Sequence, residues 1–296
     1  IGELMVDFYN VMKVDSFAIG NHDWDKKEPQ LRKWMQEERG RLGKEKKSLR
    51  GSRFKEIDNL FLSANLKLKN ENSPENGNNN NNNDLPNKMP YKIFEYLNGK
   101  IKIGIIGLIT KETAIKTSGF SSDKFIITDY IETIEKYSKI LKEKGANAIL
   151  ALTHVGMSCN NFLWNQTLID EYYKLALRDI NSTSNTKTNT CKGELFDMLN
   201  KLPEGILDGV ISGHVHESMH HFIKGIPIVQ NPMSNIFTNI MYLKFKKNKK
   251  GNYFLQKENI LIEGPIPLCD KIYSNNKCCN SYQEEKDSIN ISKFIF

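Results

Sequence analysis

Asp15-Ser16-Phe17-Ala18-Ile19-Gly20-Asn21-His22-Asp23-Trp24-Asp25 is the stretch whose reading decides the fold. Asp15 to Ile19 read as a short buried strand that stops at Gly20. The stop is followed at once by a carboxamide (Asn21), an imidazole (His22) and the carboxylates of Asp23 and Asp25. Two further apolar runs end in the same manner. Ala148 to Thr153 is closed by His154, and Gly209 to Ser212 is closed by Gly213-His214-Val215-His216. In open α/β sheets ligands bind beyond the carboxyl ends of strands, so residues remote in sequence can meet there. The chain has six histidines (His22, His154, His214, His216, His220 and His221), and His22, His154, His214 and His216 sit at or just beyond these strand ends. A lone histidine is usually structural; several at matching places point to a site. In an extended segment His214 and His216 would point the same way and could bind one metal or two adjacent metals. His220 and His221 read as exposed strand or loop residues and are not assigned as ligands.

The rest of the chain alternates helices with short apolar strands. Helices are expected at 3–12, at 29–42 (opened by Pro29), at Asp129 to Lys144 (closed by Gly145) and at 193–202. Leu60 to Ser63 reads as a strand. Tyr91 to Leu97 and Lys100 to Leu108 flank Asn98-Gly99, a strong hairpin signal. Later strands are expected at Ile226 to Gln230, Ile240 to Phe245 and Tyr253 to Leu255. The pattern predicts α/β layers around mixed sheets. One domain is expected over residues 1–263. It carries an Asn-rich insertion at 70–88, read as a disordered loop, and a loop insertion at 156–192 with a helix at 168–178. An irregular, Cys-containing tail is expected over 264–296.

The bulk properties narrow the function. Net charge is +7. It is concentrated between Lys26 and Lys55, where twelve Lys and Arg face four Glu. That segment reads as a solvated helix and loop, or as a lure for anionic substrates. Without aromatic interleaving or a binding motif it gives no case for nucleic acid. The longest apolar runs, such as Ile103 to Ile109, fall far short of the ~20 residues of a membrane helix, so no membrane span is expected. The five cysteines, Cys159, Cys191, Cys269, Cys278 and Cys279, form no C-x-x-C pair, which argues against a zinc ribbon. The cluster near the C-terminus leans toward an oxidising, secreted or vesicular compartment.

Gly20 to Asp25 resembles the G-N-H-[DE]-x-D motif of calcineurin-like metallophosphoesterases, in the form used by 5'-nucleotidases. Ser63-Ala64-Asn65-Leu66, Gly107-Leu108-Ile109-Thr110, Leu152-Thr153-His154-Val155-Gly156 and Ser212-Gly213-His214-Val215-His216 resemble that family's later motifs, in the family's order. The resemblance implies a layered α/β/β/α sandwich and a hydrolase that uses two divalent cations, Zn, Mn, Fe or Mg. Asn21, His154 and His214 would ligate one cation and His216 the other. His22 would be catalytic, facing the phosphate and assisting the leaving oxygen, with Asp25 as its hydrogen-bond partner and Asp23 the second candidate. The substrate class implied is a phosphorylated small molecule, in particular a nucleotide.

Two departures accompany the resemblance. The family's D-x-H and G-D segments do not occur before Gly20, so the sandwich is expected to be incomplete at the N-terminus, with those motifs preceding Ile1. After G-H-x-H the family has Gln-x-Gly-x-x-Gly, of which only Gln230 survives. Two other readings stay open: a phosphodiesterase or protein Ser/Thr phosphatase on the same scaffold, or a non-enzymatic module that lacks the first ligand motifs.

Overall fold

The computed structural model describes residues 14–35, 61–69, 84–159, 191–232 and 237–267. The expected helices at 3–12 and 168–178, the Asn78 to Asn83 run and Cys269, Cys278 and Cys279 lie outside them. The chain divides into two compact units, residues 1–155 with 201–208 and residues 156–200 with 209–296.

The first unit contains β1 (Phe17–Ala18), a helix α1 over residues 27–35, β2 (Phe61–Leu62), β3 (Leu66–Leu68), β4 (Lys88–Met89), β5 (Tyr91–Tyr96), β6 (Ile101–Ile109), α2 (Glu112–Lys116), β7 (Phe125–Ile127), α3 (Tyr130–Glu143) and β8 (Ala148–His154). Parallel pairing joins β1 to β2 and β2 to β4. β6 pairs parallel with β8, from Ile103 opposite Ala148 to Ile109 opposite His154. β5 and β6 form the expected antiparallel hairpin, closed through Leu97, Asn98 and Gly99 at φ 52°, 56° and 79°. The loop is longer than a two-residue Asn-Gly turn, since the last pair is Tyr96 opposite Ile101. β3 pairs antiparallel with β7.

Local chemistry explains these elements. β6 is buried at nearly every position, as an interior strand paired on both edges should be. A Cβ on Gly107 would strike the Leu62 backbone, and Ala64 N–H donates to Gly107 O at 2.7 Å. Glycine there lets the β2 chain pass close over β6. Helix α3 starts at Asp129, whose carboxylate accepts from the Ile131 and Glu132 amides, and is followed by Gly145 at φ 82°. The first unit's core joins Ile19, Trp24, Leu31, Met35, Phe61, Leu66, Leu85, Ile109, Phe120 and Phe125. Residues 84–88, expected within the disordered insertion, are ordered instead. Leu85 is buried, and Lys88 pairs with Asp84 at 2.9 Å with both side chains nearly inaccessible.

The second unit contains β9 (Ser158–Cys159), β10 (Cys191–Lys192), α4 (Glu194–Lys201), β11 (Gly209–Ser212), β12 (Met219–Ile223), β13 (Ile226–Gln230), β14 (Phe237–Tyr242), β15 (Phe245–Lys247), β16 (Tyr253–Leu255) and β17 (Leu261–Pro267). β13 pairs parallel with β11 and antiparallel with β12, so this unit is also mixed. β9 and β10 pair antiparallel with Cys159 opposite Cys191, and those two residues form a disulfide. Residues 264–267, expected within the irregular tail, belong instead to β17, which continues to Pro267 alongside β14. The strand survives its proline through an irregularity: the register jumps from Glu263 opposite Ile240 to Ile266 opposite Thr238. Among the described residues no helix is long and apolar enough to cross a membrane.

Candidate functional site

The loop after β1 is anchored at its middle. Trp24 is fully buried and meets Phe120 and Phe125 edge-on, with ring centroids 4.8 and 5.5 Å away. With that indole in the core, residues 22–24 close into one 3-10 turn, with Trp24 N–H donating to Asn21 O and Asp25 N–H to His22 O. The polar side chains are thereby fixed around the turn. Asn21 Oδ1 lies 2.8 Å from His154 Nε2, although the two residues are 133 positions apart. The His154 ring lies over Gly20, where a Cβ would stand 2.9 Å from ring atoms. The glycine that ends β1 is what allows this approach.

His22 is largely exposed, and its Nδ1 lies 2.9 Å from Asp25 Oδ2. Asp25 therefore orients the ring and leaves its other nitrogen toward solvent. Asp23, the second candidate for that partnership, instead accepts from Gly20 N–H at 2.7 Å. Removal from water raises the Asp23 pKa from 3.8 to about 6, against lowering by the Gly20 hydrogen bond and by His22 and with a further rise from Asp25. Asp23 is thus a brace inside the loop.

In the second unit, β11 ends at Ser212 and the chain turns through Gly213 to Glu217. Val215 N–H donates to Gly213 O, and Glu217 N–H donates to Val215 O. His214 adopts φ 75° within these turns. The segment is not extended, so the shared-face argument for His214 and His216 does not apply; their placement follows from two tight turns in succession. A non-glycine residue in this conformation costs of order 1 kcal/mol and is found where surrounding contacts enforce it. Gln230 supplies much of that enforcement. It is fully buried, accepts from Ser212 Oγ (2.9 Å) and Met157 N–H (3.2 Å), and donates to Glu217 O (2.8 Å), Met157 O (3.1 Å) and Val215 O (3.2 Å). Sequence reasoning saw Gln230 only as the remnant of a motif. Its signal was a lone amide ending an apolar strand.

The structure thus brings Asn21, His22, Asp25 and His154 together in the first unit and sets His214 and His216 on one loop of the second. The donors suit a divalent cation. Ligand bonds of 2.0–2.2 Å put neighbouring donor atoms roughly 3 Å apart, and Asn21 Oδ1 and His154 Nε2 lie 2.8 Å apart. Carboxamide oxygen and imidazole nitrogen fit Zn, Mn or Fe, and the set does not choose among them. Asn65, in the Ser63 to Leu66 motif, is a structural pin: its buried amide donates to Ile109 O and accepts from Ile109 N–H, fixing the end of β6.

No family model matches the chain. A venom 5'-nucleotidase of Crotalus adamanteus is 29% identical over 157 residues, 53% of this chain and 22% of that protein. The chain therefore spans about a quarter or less of the length of such relatives. The crystal structure of the calcineurin-like phosphoesterase YfkN from Bacillus subtilis superposes with TM-score 0.56 and 19% identity, over 88% of this chain and 66% of that one. A putative 5'-nucleotidase structure from Staphylococcus aureus superposes with TM-score 0.53 and 18% identity, over 93% of this chain and 42% of that one. By sequence the chain is thus similar to 5'-nucleotidases, and by fold to calcineurin-like phosphoesterases.

Proposed function

We propose that this chain carries part of the active centre of a metal-dependent phosphomonoesterase acting on nucleoside 5'-monophosphates. The observation that carries the reading is one loop that presents two functions at once. Asn21 is directed to His154, and His22, one residue on, is directed to Asp25 and solvent. Asn21 and His154 would hold a divalent cation, and His214 and His216 are the candidate cation ligands of the second unit. When bound, such cations neutralise an anionic phosphate ester and acidify water at neutral pH. The chain's own residues then divide the remaining work. Asp25 holds the His22 ring in one orientation. His22 delivers a proton to the departing alkoxide, which would otherwise leave as a strong base. Gly20 keeps the His154 ring in place, and Trp24 keeps the loop from moving away from the site.

The substrate reading rests on relatives named as 5'-nucleotidases and on the position of Asp25 beside His22. A disulfide among the described cysteines, and a relative from venom, support a secreted or vesicular setting. The test compares AMP, 2',3'-cyclic AMP and a phosphoserine peptide as substrates of the gene product, with and without Mn2+, Zn2+ or Mg2+. Metal-dependent release of phosphate from AMP is expected. Hydrolysis of only the cyclic nucleotide or the peptide would move the assignment to a phosphodiesterase or a protein phosphatase. Metal binding without hydrolysis of any of the three would reject the enzymatic reading. His22→Ala should lower kcat by about 100-fold or more, and Asp25→Asn should lower it less while leaving metal affinity unchanged.

A further inference from the structure

A second group of donor atoms lies on the second unit, independent of the residues above. Cys159 on β9 and Cys191 on β10 are directly paired across the strands. Met219 and His221 alternate with His220 on β12 and so share one face of it, while His220 is engaged with Ile262 O at 2.6 Å. The Met219 sulfur lies 3.9 Å from the Cys159 sulfur. The ligand atoms of Cys159, Cys191 and His221 all lie within 4.8 Å of one another. The two sulfurs of the disulfide, a thioether and an imidazole thus converge.

We propose that Cys159, Cys191 and His221, with Met219 beside them, form a metal site for a thiophilic d10 cation, Zn2+ or Cu+, that opens when the cysteine pair is reduced. Donor chemistry sets the class of ion. Thiolate and thioether sulfur select such cations and discriminate against Mg2+ and Mn2+, which prefer oxygen. Geometry permits the site. Zn–S and Zn–N bonds of about 2.3 and 2.0 Å place ligand atoms roughly 3.3–3.9 Å apart, within the present spread of the cluster. Only the two sulfur atoms, now bonded to each other, must part, and rotation about Cα–Cβ separates them because β9 and β10 hold both residues on one face. The interconversion balances as a two-electron exchange. A dithiol reductant supplies two electrons and two protons, breaks the S–S bond and becomes a disulfide itself. Cation binding then releases the two thiol protons to solvent. The pair would therefore be a disulfide in an oxidising compartment and a metal site in a reducing one.

The test uses the whole chain, reduced anaerobically with a phosphine that is then removed, and Co2+ as the spectroscopic stand-in for Zn2+. The expected result is one thiolate-to-cobalt charge-transfer band in the near ultraviolet. It should be displaced by Zn2+ in one arm and by Cu+ in the other, and displacement by one ion only names the occupant. Air-oxidised protein should show no band. Cys159→Ser and Cys191→Ser should each abolish it, and His221→Ala should weaken binding about tenfold or more. His154→Ala, in the other site, should leave the band intact. The proposal is overturned if the reduced chain gives no band, if the band survives in the Cys159→Ser/Cys191→Ser double variant, or if the pair resists reduction in the folded protein. Serine variants that fail to fold would leave the comparison of reduced and oxidised wild type, with His221→Ala, to decide the matter.

Discussion

Replacing Gln230 by leucine preserves much of the side-chain volume and removes the polar clamp. Its consequence can be worked from the contacts. The two hydrogen bonds to Met157, from its N–H and to its O, are buried, so both backbone groups would be left without water. Each orphaned buried group costs about 1–3 kcal/mol. The bonds with Ser212, Val215 and Glu217 are partly accessible, and solvent can replace much of their strength. A loss of about 3 kcal/mol is therefore expected. Gln230→Glu should be at least as harmful, because a carboxylate would face the Met157, Val215 and Glu217 carbonyl oxygens. Urea denaturation followed by circular dichroism measures both losses. The metal affinity of the folded variants, read by calorimetry, reports whether the turn that holds His214 at φ 75° has relaxed. A Gln230→Leu protein with wild-type stability and wild-type metal affinity would refute the clamp.

Trp24→Ala should destabilise the first unit by about 3–5 kcal/mol, as loss of a large core side chain does. Trp24→Phe should cost far less, because the buried indole N–H has no hydrogen-bond partner among the described residues; thermal melts of the two variants check this. Glu28 is buried, and burial that would raise its pKa is outweighed by hydrogen bonds from Arg32 (2.6 Å), Lys124 (3.0 Å) and Ser121, which hold the carboxyl below 4.5. A depressed pKa in the folded state gives stability that is complete above the unfolded value and is lost as pH falls through the folded one. Wild type should thus exceed Glu28→Gln by about 2 kcal/mol at pH 7, with the gap narrowing below about pH 4.5. A gap that is constant from pH 7 to pH 3 would count against this account. Gly20→Ala should weaken metal binding without unfolding the chain, since the new methyl would meet the His154 ring, and calorimetric titration with Mn2+ reads the effect.

Much of the frame was legible because local chemistry and global fold agree. Asp129 and Gly145 bracket α3 in sequence as in structure. The β5–β6 hairpin follows its Asn-Gly signal, and apolar runs ending in polar residues became β1, β8 and β11. What escaped depends on contacts that sequence distance hides. Nothing in the spacing of five cysteines pairs Cys159 with Cys191. The Gly213 to Glu217 turns escaped because strand periodicity carries no information beyond the strand's last residue. Residues 264–267 were expected in the irregular tail, but β17 runs on through them where its register with β14 jumps. The partnership of His22 with Asp25, expected from the resemblance with Asp23 as the second candidate, is present in the structure, where the 3-10 turn behind the buried Trp24 brings the two side chains together.

The Cys159–Cys191 bond has a consequence for the covalent topology of the chain. It closes a ring over a separation of 32 positions, so a single peptide-bond cleavage between these cysteines leaves the molecule in one covalent piece. Such a nicked chain would run as a single band on a non-reducing gel and as two fragments after reduction.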